Sequence, residues 1–107
     1  MIRVQEIGAE PAAHPFCEGF IYCIVHHERR VAKVGFSKNP RRRLQQLQTG
    51  SVDRFTLFDA IPANRALETA FHRVFADRRI SGEWFDNSDH SITDLFGRLA
   101  WRERVAA

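Results

Sequence analysis

The run Gly19-Phe20-Ile21-Tyr22-Cys23-Ile24-Val25, followed after five polar residues by Val31-Ala32-Lys33-Val34-Gly35-Phe36, decides the fold. The first segment is continuously apolar and rich in β-branched and aromatic residues, which reads as a buried strand. The second reads as its partner, with His26 to Arg30 as the turn of a hairpin. The turn lacks the Asn-Gly signature that would specify its geometry. A loop centred between His27 and Glu28 places Tyr22 opposite Lys33, and directly opposed residues share a face. A phenol beside an ammonium is expected to have a lowered pKa, which suits a general base. The same pair also fits a core aromatic beside a lysine whose head reaches solvent.

Working outward, Asn39 is placed to cap a helix and Pro40 suits its first position. That helix runs to about Gln48, and Thr49-Gly50-Ser51 ends it. Phe55 to Ile61 predicts a third strand, stopped by Pro62. Asn64 predicts the cap of a second helix reaching about Asp77, with Leu67, Ala70, Phe71 and Val74 as its apolar stripe. Ser81 to Phe85 reads as a turn and a short extended segment. A last helix spans about 91–104, with Ile92, Leu95, Phe96 and Leu99 on one face, either covering the core or offered to a protein partner. The order β-β-α-β-α-α predicts a small α/β (α+β) domain. Residues 1–18, broken by Pro11 and Pro15, form a lead-in, and residues 19–107 form one domain.

Composition narrows the function class. The 107 residues are 44% hydrophobic and 27% charged, which places the chain among globular proteins rather than disordered ones. The longest apolar run, Phe20 to Val25, is far short of the ~18 residues a membrane span needs. Glu6 and Glu10, with no apolar stretch between them and the start, argue against a secretory leader. Cys17 and Cys23 are too few for a disulfide framework and read as reduced thiols, so the expected location is the cytoplasm. Only Lys33 and Lys38 are lysines; the rest of the 16 basic residues are arginines, and the net charge is +3. Guanidinium groups suit phosphate, so the balance permits a nucleic-acid partner without requiring one.

Three groups of residues carry possible chemistry. On the first helix Arg42 points away from the apolar face, while Arg41 and Arg43 flank it and Arg43 lies nearer its centre. A guanidinium held there suits bidentate phosphate binding, assisted by the helix N-terminus at Asn39; a solvated basic face is the alternative. Ser37, Lys38, Arg41 and Arg42 at this helix start are expected to contact nucleic acid. On the second helix Glu68 and His72 stand four residues apart, on the side away from the apolar stripe. They form either a routine surface pair or a carboxylate ligand for Mg²⁺ with a neighbouring hydrogen-bond donor. His26 and His27 lack the further ligands of a transition-metal site.

Taken in order, these motifs resemble the GIY-YIG nuclease family. The first motif is Gly19-Phe20-Ile21-Tyr22, with one extra residue, and the second is Lys33-Val34-Gly35. Then follow Phe36-Ser37, Arg43-Leu44, Leu47-Gln48-Thr49-Gly50, Glu68-x-x-x-His72-x-x-Phe75 and Gly82-Glu83-Trp84-Phe85. The combination is similar to the phage and bacterial branch with Lys in the second motif, and it covers residues 19–86. The resemblance implies a three-stranded antiparallel sheet flanked by helices and hydrolysis of DNA phosphodiesters with one Mg²⁺ or Mn²⁺ ion. By the same carry-over, Tyr22 activates or positions the attacking water and Lys33 helps to ionise it. Arg43 binds the scissile phosphate, Glu68 holds the metal and His72 is an accessory group. Trp84-Phe85 is expected to cover the sheet, Glu83 is left without a role, and Asn87 is left open as the counterpart of an asparagine many members carry near the site. DNA is the expected partner, with RNA left open. Residues 87–107 offer little for sequence readout, so the expectation is weak intrinsic sequence specificity, or a homodimer or partner protein that supplies it. The competing expectation is a nucleic-acid-binding module of the same fold that does not cut.

Overall fold

Strand β1 (Gly19–His26) is buried along almost its whole length because helices cover both of its sides in the computed structural model, which describes residues 17–106. The lead-in expected over residues 1–18 therefore lies almost entirely outside the described residues. The chain continues through β2 (Val31–Ser37), α1 (Pro40–Gln48), β3 (Phe55–Ala63), α2 (Arg65–Val74), β4 (Arg79–Ser81), β5 (Trp84–Asp86) and α3 (Ser91–Ala106). The strands form one antiparallel sheet in the order β3-β1-β2-β5-β4. The mixed α+β class is as expected. The sheet has five strands rather than three, because β4 and β5 add a hairpin beside β2. Each of these strands has three residues, too few to show a period of two.

The register of β1 against β2 differs from expectation by two residues. Tyr22 lies opposite Gly35, and Lys33 lies opposite Ile24. The last pair is His26 with Val31, leaving a four-residue turn with Arg30 in the left-handed region at φ 54°. His26 fixes that turn: its Nδ1 accepts from the backbone N–H groups of Glu28 and Arg29 at 3.2 and 3.1 Å. A two-residue shift preserves the face, so Tyr22 and Lys33 remain on the same side of the sheet.

β3 runs on through Pro62, which pairs with Phe20. Pro62 is tolerated because β3 is an edge strand, where alternate N–H groups have no ladder partner to lose. Both predicted caps are present: Asn39 Oδ1 accepts from Arg42 N at 3.1 Å, and Asn64 Oδ1 from Leu67 N at 3.3 Å. α2 ends at Val74 and a 3-10 turn covers Ala76–Arg78, so the helix is shorter than expected. Its core stripe is Leu67, Phe71 and Phe75, at steps of four; Ala70 is exposed and Val74 is 65% exposed.

Alternation along β1 sorts the interior into two clusters. Ile21 and Cys23 face α2 and α3, where they join Val34, Phe71, Phe75, Phe85, Ile92, Phe96 and Ala100. Leu95 and Leu99 pack on the same cluster, so the apolar face of α3 covers the core. On the opposite face Phe20, Tyr22 and Ile24 meet Leu57, Ala60, Leu44 and Leu47 beneath α1. Both cysteines are free, as read from the sequence. Among the described residues no helix is long and apolar enough to cross a membrane.

Candidate active site

Gly35 is the floor of the site. A methyl carbon built there would stand 2.5 Å from the Tyr22 hydroxyl and 2.7 Å from Glu83 Oε1, so a side chain at this position would occupy the space where the two groups meet. The β1–β2 register brings Tyr22 to this point by placing it opposite Gly35. Glu83 arrives from the β4–β5 turn, and its carbonyl accepts from Val34 N at 3.0 Å.

Tyr22 is 1% exposed. Burial pushes its phenol well above the ordinary pKa, and the Glu83 carboxylate adds to the effect. The charge of Arg43 and its hydrogen bond to Tyr22 pull the other way without winning. This reverses the expectation that Lys33 ionises Tyr22. In the observed register Lys33 sits two pairs further along the ladder and spends its charge on Glu83, with Nζ 2.9 Å from Oε1. Lys33 Nζ also lies 5.7 Å from the centre of the Trp84 ring, which is on the neighbouring strand.

Glu68 and His72 do not lie on the solvent side of α2. β5 ends its pairing with β2 at Lys33, so the carbonyl of Val34 lies beyond the reach of the sheet ladder. His72 takes that place: Nε2–H donates to Val34 O at 2.8 Å, and the ring packs against Phe85 with centroids 5.0 Å apart. Its Nδ1 accepts from Arg79 Nη2 at 3.3 Å, so both ring nitrogens are engaged within the protein. One turn earlier, the Glu68 carboxyl comes beside that of Glu83. Burial raises the Glu68 carboxyl above the usual range, Glu83 raises it further, and His72 and Arg65 offset this in part.

Arg43 is exposed in the first turn of α1 yet reaches the Tyr22 hydroxyl. Lys38, Arg41 and Arg42 are exposed at the same helix start, and with Arg43 they form no ion pair among the described residues. Ser37 Oγ accepts from Asn39 N at 2.9 Å and so helps to shape the turn into the helix. Asn87 belongs elsewhere. It is buried at the hairpin-turn end of β2, where its N–H bonds Arg30 O, and its Oδ1 caps α3 by accepting from the N–H groups of Ile92 and Thr93. Phe85 is wholly buried and Trp84 half-buried, so both cover the sheet.

The oxygen donors of Glu68 and Glu83, side by side and backed by a phenol, fit a hard divalent cation such as Mg²⁺ or Mn²⁺. A second grouping, His26 with Glu28 and Asp53, has the composition of a metal site. Its geometry is explained by protein contacts: His26 Nδ1 is filled by two backbone donors, and Nε2–H donates to Asp53 at 3.1 Å. Glu83 is the site residue that sequence reasoning left without a role. The Gly82-Glu83-Trp84-Phe85 block marked it, but only the pairing of Lys33 with Trp84 shows where it points.

In comparison with known proteins, residues 19–100 match the model of the T5orf172 domain. No curated protein and no solved structure matches the chain.

Proposed function

The chain belongs to the T5orf172 domain family, and on that premise we propose that it is a metal-dependent endonuclease of GIY-YIG type acting on DNA phosphodiesters. The carrying observation is the convergence of Tyr22, Glu83, Glu68 and Arg43 above Gly35. The association of this domain with nuclease-like functions in phage and bacterial proteins supports the reading.

In this reading Glu68, with Glu83 beside it, would hold Mg²⁺ or Mn²⁺. When bound, the ion supplies Lewis-acid stabilisation of charge on the departing oxygen. Arg43 has a guanidinium without a carboxylate partner among the described residues and binds the non-bridging oxygens of the scissile phosphate, where negative charge builds in the transition state. Tyr22 is a neutral phenol, so its Oη orients the attacking water by hydrogen bonding rather than standing ready as a phenolate. Lys33 holds Glu83 in place through their ion pair. His72 acts by position: it ties α2 to the free carbonyl of Val34 and thereby sets Glu68 against the sheet. Lys38, Arg41 and Arg42 attract the backbone of the strand. A module that merely bound nucleic acid would use the basic start of α1 but would have no use for two carboxyls in contact beside a buried phenol, which favours hydrolysis.

The test is nicking of supercoiled plasmid DNA with Mg²⁺ or Mn²⁺, with a structured RNA as a parallel substrate. The wild-type chain is expected to nick the plasmid, whereas folded Glu68→Ala and Tyr22→Phe are not. Binding without cleavage in every metal would replace the proposal with the binding-module reading.

A further inference from the structure

Beside Glu68 lies a pocket of about 350 Å³ lined by Glu68, Thr69, His72, Arg73, Ala76 and Arg79. Two of its walls are guanidinium groups. Arg79 is held in place: Nη2 donates to His72 Nδ1 at 3.3 Å, and its guanidinium carbon lies 5.6 Å from the centre of the Phe85 ring. Other arginines of this chain are matched to acids, Arg78 with Asp89, Arg104 with Asp59 and Arg54 with Glu28. Arg73 and Arg79 have no such partner among the described residues. A concave site with two unpaired guanidinium groups, one pre-positioned by stacking and a hydrogen bond, suits a phosphate group.

Glu68 decides which phosphate. It is a wall of this pocket and also a member of the cluster above Gly35, so a ligand here lies next to whatever occupies the catalytic cluster. The Glu68 carboxylate would by itself oppose an anion. The two guanidinium groups of Arg73 and Arg79 outweigh its single charge. We infer that the Arg73–Arg79 pocket is a second phosphate subsite, which holds a phosphodiester neighbouring the scissile one and so draws the strand across Glu68 from α1 to β4. The inference rests on the nuclease reading for the identity of the neighbouring group. It also gives His72 a second task, since the ring that positions Glu68 through Val34 also positions Arg79.

The experiment is fluorescence-anisotropy binding of a labelled DNA duplex to the full chain across a salt series, with Ca²⁺ in place of Mg²⁺, alongside plasmid nicking in Mg²⁺. Arg73→Gln and Arg79→Gln are each expected to bind several-fold more weakly and to lower the slope of log affinity against log salt by about one, the signature of one lost phosphate contact. Arg98→Gln, on the exposed side of α3, is expected to leave both unchanged. Arg73 is exposed, so its variant reads the subsite even where loss of Arg79 disturbs His72. If the wild type binds and nicks while both variants keep its affinity and salt slope, the subsite is overturned and the nuclease reading stands. If the slope falls as expected but no metal supports nicking, the subsite stands and the hydrolase reading falls. A wild-type chain that does not bind DNA overturns both.

Discussion

The two faces of the sheet are built from the same strands and do different work. On the α2–α3 face, Ile21, Cys23, Val34, Phe85, Ile92 and Phe96 are each fully buried at 0% exposure in apolar packing, with the buried Asp59 carboxylate matched by Arg104 of α3. On the α1 face, a nine-residue helix covers the β1–β3 side with Leu44 and Leu47 and leaves the β2–β5 side open. There Lys33, Glu83 and Trp84 replace apolar packing with an ion pair and a ring. The faces meet where β5 stops. Past that point Val34 O and Gly35 offer a gap in the sheet edge, where His72 of α2 bonds Val34 O and Glu68, one turn away, comes beside Glu83. A short strand and a missing Cβ therefore join residues that the sheet would otherwise keep on opposite sides.

The largest expected effect lies on the closed face. Phe96→Ala removes a fully buried ring and should cost about 3–5 kcal/mol in urea unfolding. A loss below 1 kcal/mol would show that this face is not the stabilising one. Next comes a matched pair of glycines. Gly35→Ala forces a carbon against Tyr22 and Glu83, with an expected cost of about 1–3 kcal/mol and loss of nicking. Gly97→Ala, on α3, meets its nearest side-chain atoms at 3.8 Å and should stabilise by about 0.5–1 kcal/mol with nicking intact. Equal behaviour of the two variants would erase the distinction between the faces.

The smallest effect is a pH-dependent one, away from both clusters. Asp89 accepts from Ser91 N at 3.1 Å and pairs with Arg78, and these contacts hold its carboxyl down at about 2. A lowered folded-state pKa stabilises above the ordinary carboxylate range, and the contribution disappears as pH falls through the folded value. The wild type should therefore be more stable than Asp89→Ala at pH 5, with the gap closing as pH approaches about 2. A gap that is constant with pH would mean the contact does not depend on charge.

By itself the sequence determined the elements whose signals are local. The apolar run of β1, the Asn39-Pro40 helix start and the Asn64 cap each depend on neighbouring residues, and each is where the pattern placed it. The candidate site residues Tyr22, Arg43 and Glu68 were legible because motif order carries them through the chain. Tertiary structure decided everything that depends on what lies opposite. The turn held by His26 set the register and so gave Gly35, not Lys33, to Tyr22. The short β4–β5 hairpin delivered Glu83, and the end of β5 turned His72 inward. Burial then decided the protonation of Tyr22, raising its pKa where a neighbouring lysine had been expected to lower it. Desolvation is a property of the packed environment, and no spacing of residues along a chain encodes it directly.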